Sequence, residues 1–134
     1  MFKKIKSANS IKSFLAADLT QIKELLHPKN DSFPLDFSLA LGGLDVGGSS
    51  LPHKLTKNCE VYYFIKGSGR ISLGGKYSPI KKGDVAYVPA EEIQFIENTG
   101  NGQLEFLCIV SPPWSSDEEE ILGNQEECKL PTHP

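Results

Sequence analysis

From Phe33 to Val110 the chain breaks into short β-prone segments parted by glycine- and proline-bearing turns, and no helical pattern interrupts them. The segments are Phe37–Leu44, Cys59–Lys66, Arg70–Leu73, Lys76–Ile80, Val85–Val88, Ile93–Glu97 and Leu104–Val110. Gly74-Gly75 joins two of them, and two consecutive glycines suit the positive-φ positions of a two-residue hairpin turn. Lys82-Gly83-Asp84 marks another tight turn. Short strands at regular spacing, without crossover helices, satisfy their backbone only by antiparallel pairing. The chain is therefore predicted to be all-β, with a closed or sandwiched sheet.

The flanks are patterned differently. Met1 to about Ala17 is weakly patterned and reads as a short strand or an extended arm. Asp18–His27 predicts a short helix: Asp18 or Thr20 caps its first turn, and Leu19, Ile22, Leu25 and Leu26 fall on one face. Pro28 then ends it, with His27 in the last turn facing the helix dipole. Ser111-Pro112-Pro113-Trp114 closes the last strand; the acidic stretch from Ser115 can dock one short turn through Ile121 and Leu122, and the rest reads as a solvated, mobile tail. At 134 residues the expectation is one domain. Its parts are an arm and short helix over 1–32, a β-barrel over 33–114 and an acidic, mobile tail over 115–134.

Composition excludes some partners. A net charge of −3 argues against a nucleic-acid or anionic-membrane surface, and the lysines near the N-terminus have no interleaved aromatics. No apolar run approaches membrane-spanning length. Cys59, Cys108 and Cys128 are odd in number and lack the spacing of a zinc knuckle, so a reducing, cytoplasmic setting is expected.

Chemistry concentrates between Gly47 and Gly67. His53 and Glu60 stand seven positions apart, the second on a strand-like run where Glu60, Tyr62 and Phe64 share one face by alternation. A carboxylate on an aromatic face must be paired or coordinated, because burying it bare is costly. His53 and Leu55 share a face on the approach to that strand.

These residues resemble the cupin superfamily. Gly47, His53, Glu60 and Gly67 keep every spacing of its first motif, with Leu55 where a second histidine belongs. Gly83, Pro89 and Asn98 keep the spacing of the second motif, with Glu91 in place of a glycine and Gln94 in place of a histidine. The resemblance covers roughly Asp18 to Trp114. It implies a double-stranded β-helix, or jelly-roll barrel, preceded here by the short N-terminal helix. In metal-bearing members the first motif supplies two histidines and a glutamate, and the second motif one histidine. Carried onto this chain, that implies metal ligands His53, Glu60 and Gln94, with leucine unable to coordinate at position 55 and a neutral amide a weaker ligand than imidazole.

Two functional readings follow. In the first, the chain is a small single-domain cupin that binds a sugar or small carbonyl compound, with a weakly held divalent ion (Zn, Fe, Ni or Mn) and isomerase, lyase or dioxygenase-type chemistry. The metal or His53 then polarises an oxygen, Glu60 is ligand or base, and Tyr62, Phe64 and Gln94 contact the substrate. In the second, it is a non-catalytic binding or sensor module that has lost its metal. A homodimer is expected in either case, because a jelly roll has edge strands to cover and Leu107 and Ile109 form an outward apolar face.

Overall fold

The computed structural model describes residues 4–123. After a 3-10 turn at Ala8–Ser10 the elements are β1 (Phe14–Leu15), β2 (Gln21–Leu26), α1 (Pro28–Asp31), β3 (Ser38–Leu44), β4 (His53–Leu55), β5 (Cys59–Lys66) and β6 (Ser68–Leu73). There follow β7 (Lys76–Lys81), β8 (Val85–Val88), β9 (Gln94–Glu97), β10 (Leu104–Ser111), a 3-10 turn at Ser116–Glu118 and β11 (Glu119–Ile121). Each of the seven strand segments expected between Phe37 and Val110 is present, with ends shifted by a few residues at most. Gly74 and Gly75 both have positive φ, and Leu73 pairs with Lys76 across them, as the hairpin expectation requires.

The strands form two antiparallel sheets. One has the order β1-β2-β3-β10-β5-β8, the other β11-β4-β9-β6-β7. Among the described residues no ladder joins the two sheets, so of the closed and sandwiched alternatives the chain takes the sandwich, two facing sheets, and the barrel is not closed. Its core is aromatic. Phe64 and Phe106 are almost fully buried with ring centroids 5.6 Å apart, and Tyr62 packs edge-on against Phe106 at 5.5 Å. Gly42 leaves room for that cluster, since a Cβ there would stand 2.4 Å from the Phe106 ring.

The helix expected over Asp18–His27 is a correction. That stretch is strand β2, paired with β3 through Ile22 opposite Gly42 and Glu24 opposite Ala40. An isolated helix of this length is marginal in water, whereas an extended segment gains a ladder along the edge of β3. Leu19, with φ of +74°, lies in the left-handed region and would break a helix at its start. Among the described residues the only α-helix is the four-residue α1. Pro28 opens it rather than ending one, as proline at the first helical position lacks only an N–H that would have no partner. His27 caps it: its Nδ1 accepts from the Lys29 N–H at 3.1 Å, and its Nε2–H donates to the Trp114 carbonyl at 2.8 Å.

The acidic segment docks near Ile121 as expected, but as a strand and not as a short turn. Glu119–Ile121 adds to the second sheet, with Glu119 opposite Leu55 and Ile121 opposite His53. Residues 124–134 of the expected tail, Cys128 among them, lie outside the described residues. No helix among the described residues is long and apolar enough to cross a membrane.

Candidate functional site

Between the sheets lies a cavity of about 310 Å³, walled by β2, β3, β5 and β10 on one side and β4 and β11 on the other. Its lining is mostly apolar, with Leu55, Phe106 and Val110 among the contributors. Two groups of polar side chains break that surface.

The first is built on β5. Glu60 and Tyr62 share the inward face, and the Tyr62 hydroxyl lies 3.1 Å from Glu60 Oε1. Gln94, fully buried on β9, donates from Nε2 to the same Glu60 oxygen at 3.0 Å, and its Oε1 faces the Tyr62 hydroxyl. One phenol carries one hydrogen, so it cannot donate to both Glu60 and Gln94. The hydrogen count closes when Glu60 is protonated: its O–H donates to the Tyr62 oxygen, Tyr62 donates to Gln94, and Gln94 donates back to Glu60. The electrostatics agree. Burial pushes the Glu60 carboxyl up to about 7, and the Asp18 carboxylate adds to this; His53 and the two hydrogen bonds oppose it without cancelling it. Burial likewise pushes the Tyr62 phenol well above its ordinary value, with Glu60 adding to the effect.

The second group is Asp18, His53 and Glu119. Their ligand atoms all lie within 4.8 Å of one another. Asp18 sits in a turn closed by hydrogen bonds from the Ala16 N–H to the Thr20 carbonyl (2.8 Å) and from the Leu19 N–H to the Ala16 carbonyl (2.9 Å). The Leu51 N–H donates to the Asp18 carbonyl at 2.8 Å and ties that turn to the approach of β4. Asp18 Oδ1 accepts from the Thr20 N–H at 3.0 Å, while Oδ2 faces His53 Nε2 at 3.5 Å. His53 Nδ1 lies 2.7 Å from the Leu51 carbonyl, which can only accept, so Nδ1 carries a proton. Burial raises the Glu119 carboxyl, and the Asp18 carboxylate raises it further.

The expected site residues therefore separate. His53, Glu60 and Tyr62 line the cavity, and so does Leu55. Gln94 stands behind Glu60 and Tyr62 instead of at the surface of the cavity, and Phe64 belongs to the core cluster. A metal held by His53, Glu60 and Gln94 does not fit this arrangement. Both ends of the Gln94 amide are engaged by its neighbours, and Leu55 offers no donor atom. Asp18 and Glu119 were not among the residues singled out from sequence. By sequence Asp18 reads as a helix cap, and Glu119 reads as part of an acidic run that docks one short turn through Ile121 and Leu122. The one signal for the latter was Ile121, an apolar residue two positions on and so on the same strand face.

The Cupin domain family model matches residues 41–110, which hold most of the two sheets and the Glu60–Tyr62–Gln94 cluster. The chain belongs to the cupin family. An uncharacterised protein of Methanocaldococcus jannaschii is 39% identical over 114 residues, covering 85% of this cupin and 90% of that protein. An oxalate-binding protein of Thermotoga maritima is 40% identical over 88 residues, covering 66% of this chain and 68% of its own length. A crystal structure described as a predicted oxalate decarboxylase, also from T. maritima, superposes with a TM-score of 0.72 at 29% identity, covering 81% of this cupin and 98% of that chain.

Proposed function

We propose that this cupin binds a small polar molecule, of the sugar or small-carbonyl class, in the cavity between its sheets. The observation that carries the reading is Glu60, whose carboxyl burial pushes up to about 7, and the buried His53 presented together at an otherwise apolar cavity of about 310 Å³. That volume falls at the lower end of the usual range for small-molecule sites. The lining holds Asp18, Glu24, Glu60 and Glu119 and, among the described residues, no lysine or arginine, which favours a neutral oxygen-rich ligand over a free anion. The oxalate-binding relative supports a small, oxygen-bearing ligand; a dianion in this cavity needs a cation beside it.

The chemistry best suited to the side chains is proton transfer at an oxygen or an adjacent carbon, of isomerase or lyase type. Glu60, near half-protonated at neutral pH, is the acid or base, and His53 orients or polarises the oxygen. Dioxygenase-type chemistry depends on a metal. The non-catalytic alternative is favoured by one observation: Gln94 and Tyr62 already engage Glu60, so its proton is held inside the protein.

A thermal-shift panel of sugars, small carbonyl compounds and organic acids, run on chelator-treated protein, tests the binding reading. At least one class is expected to raise Tm by several degrees, because a ligand at about 100 times its Kd stabilises by roughly 2.7 kcal/mol. The rise is expected to vanish in His53→Ala and to shrink in Glu60→Gln. A flat response across the panel would sink the reading.

The same proposal includes a cytoplasmic homodimer. Cys59 and Cys108 are both free, in keeping with a reducing setting. Leu107 pairs with Tyr63 and Tyr63 with Val85, while Ile109 pairs with Val61 and Val61 with Tyr87, so two apolar rows cross the outer face of β10, β5 and β8. Tyr63, Val85 and Tyr87 are 43%, 68% and 60% exposed. A second copy of the same face is the self-complementary cover such rows favour. Light scattering at micromolar concentration is expected to give a dimer, and the double change Val85→Glu and Tyr87→Glu a monomer; a monomeric wild type would remove this part.

A further inference from the structure

Asp18, His53 and Glu119 reach one point from three separate stretches of chain: the turn before β2, strand β4 and the C-terminal strand β11. Only His53 belongs to the ligand positions that the resemblance implies. The register of β11 shows what has replaced another of them. Glu119 lies directly opposite Leu55, the position at which the second histidine is missing, and directly opposite residues in an antiparallel pair project to the same face. Glu119 thus brings a carboxylate to the side of the cavity where Leu55 has none to offer.

The atoms are prepared for a cation. With Nδ1 donating to the Leu51 carbonyl, neutral His53 presents the lone pair of Nε2. An imidazole ligand characteristically donates its other N–H to a carbonyl, which fixes the ring and its tautomer. That lone pair faces Asp18 Oδ2, another acceptor, across 3.5 Å, which is too long for a good hydrogen bond. Asp18 Oδ1 is spent on the Thr20 N–H, so Oδ2 is the oxygen left for a ligand bond. Glu119 is held in turn by a hydrogen bond from the Trp114 side chain. His53 is 2% exposed, so these acceptors face each other with little solvent between them. Two ligands on opposite sides of an ion at about 2.0–2.4 Å stand roughly 4.0–4.8 Å apart, and the three ligand atoms here lie within 4.8 Å of one another.

We propose that Asp18, His53 and Glu119 bind a divalent cation of the manganese, iron or zinc kind, whose remaining positions open onto the cavity. One imidazole with two carboxylates suits ions of borderline hardness rather than a thiophilic metal. The site is distinct from the His53, Glu60 and Gln94 set expected from the motifs. It stands whether or not the cavity also takes an organic ligand. The rival arrangement is a protonated His53 ion-paired to Asp18 and Glu119 with no metal, and it makes opposite predictions.

The test uses the full chain, stripped with chelator and then titrated with Mn²⁺ alone and Zn²⁺ alone. Binding is followed by the electron paramagnetic resonance of free Mn²⁺ and by calorimetry. One ion per chain is expected, weakened about tenfold or more in Asp18→Asn and in Glu119→Gln, and within about threefold of wild type in Glu60→Gln. Glu119→Gln, at the end of the sheet, is the variant whose fold is least at risk, and circular dichroism checks each protein. In ¹⁵N NMR, the His53 Nε2 signal is expected to shift on addition of Zn²⁺ while Nδ1 keeps its proton. The proposal is overturned if neither ion binds stoichiometrically, if Nε2 does not respond to the metal, or if Glu60→Gln abolishes binding while Glu119→Gln leaves it intact.

Discussion

Phe106→Ala is expected to cost about 3–5 kcal/mol of folding stability, the range for removing a large aromatic from a packed core. Phe106 is 1% exposed, packs against both the Phe64 and Tyr62 rings, and lies over Gly42 where a side chain would collide with it. Gly42, the residue directly beneath the ring, has no side chain to move into the gap. The loss is a large fraction of the 5–15 kcal/mol that holds a typical domain together. It also reaches the site, since Phe106 is part of the cavity wall and its ring is the edge contact that fixes Tyr62. Urea unfolding followed by tryptophan fluorescence is expected to show a lower midpoint with an unchanged slope. A loss below about 1 kcal/mol would show that the core is not organised around this ring.

The second large effect is a pH dependence that belongs to Glu60. Its carboxyl moves from an ordinary value of 4.5 to about 7 on folding, mainly because burial disfavours the charged form. Below pH 4.5 the group is protonated in both states and costs nothing. Between about pH 4.5 and 7 the unfolded chain releases the proton and the folded chain keeps it, so stability falls as pH rises. Above about pH 7 both forms are ionised and the full cost is present, roughly 3 kcal/mol at 1.36 kcal/mol per pKa unit. Glu60→Gln keeps an amide oxygen beside Tyr62 and has no charge to bury. The difference in stability between wild type and Glu60→Gln, measured in chelator from pH 4.5 to 8, is therefore expected to change by about 3 kcal/mol, with wild type losing ground as pH rises. Other titrating groups, Glu119 included, largely cancel in that difference. A difference independent of pH would mean that Glu60 is ionised in the folded protein throughout the range, and the hydrogen-bond ring with Tyr62 and Gln94 would have to be redrawn.

Both effects arise where local patterning was strong. Alternation on β5 put Glu60 and Tyr62 on one face before any contact was known, because side chains on a strand repeat every second residue. The motif spacing brought His53 and Gln94 to the same neighbourhood, and they are paired across β4 and β9. Alternation could not say how deep each side chain sits. Phe64 and Tyr62 share a face and both pack in the aromatic core, yet only Tyr62 also borders the cavity. Gln94 was legible as a neighbour of Glu60 and illegible as a residue whose amide is fully engaged.

By itself, the sequence determined the all-β class, the strands from Ser38 to Ser111 other than β4, the hairpin at Gly74-Gly75, the family, and His53 with Glu60 as the centre of interest. Each is written locally, in a two-residue period, a turn dipeptide or a fixed spacing. Tertiary structure alone decided that Gln21–Leu26 is a strand, that Pro28 begins a helical turn, and that an acidic segment past Trp114 returns to cover Leu55. It also brought Asp18 and Glu119, a hundred residues apart in the chain, to either side of His53. The physical reason is the same throughout: a segment of weak intrinsic preference takes the form that completes an open sheet edge, and which edge is open depends on strands elsewhere in the chain.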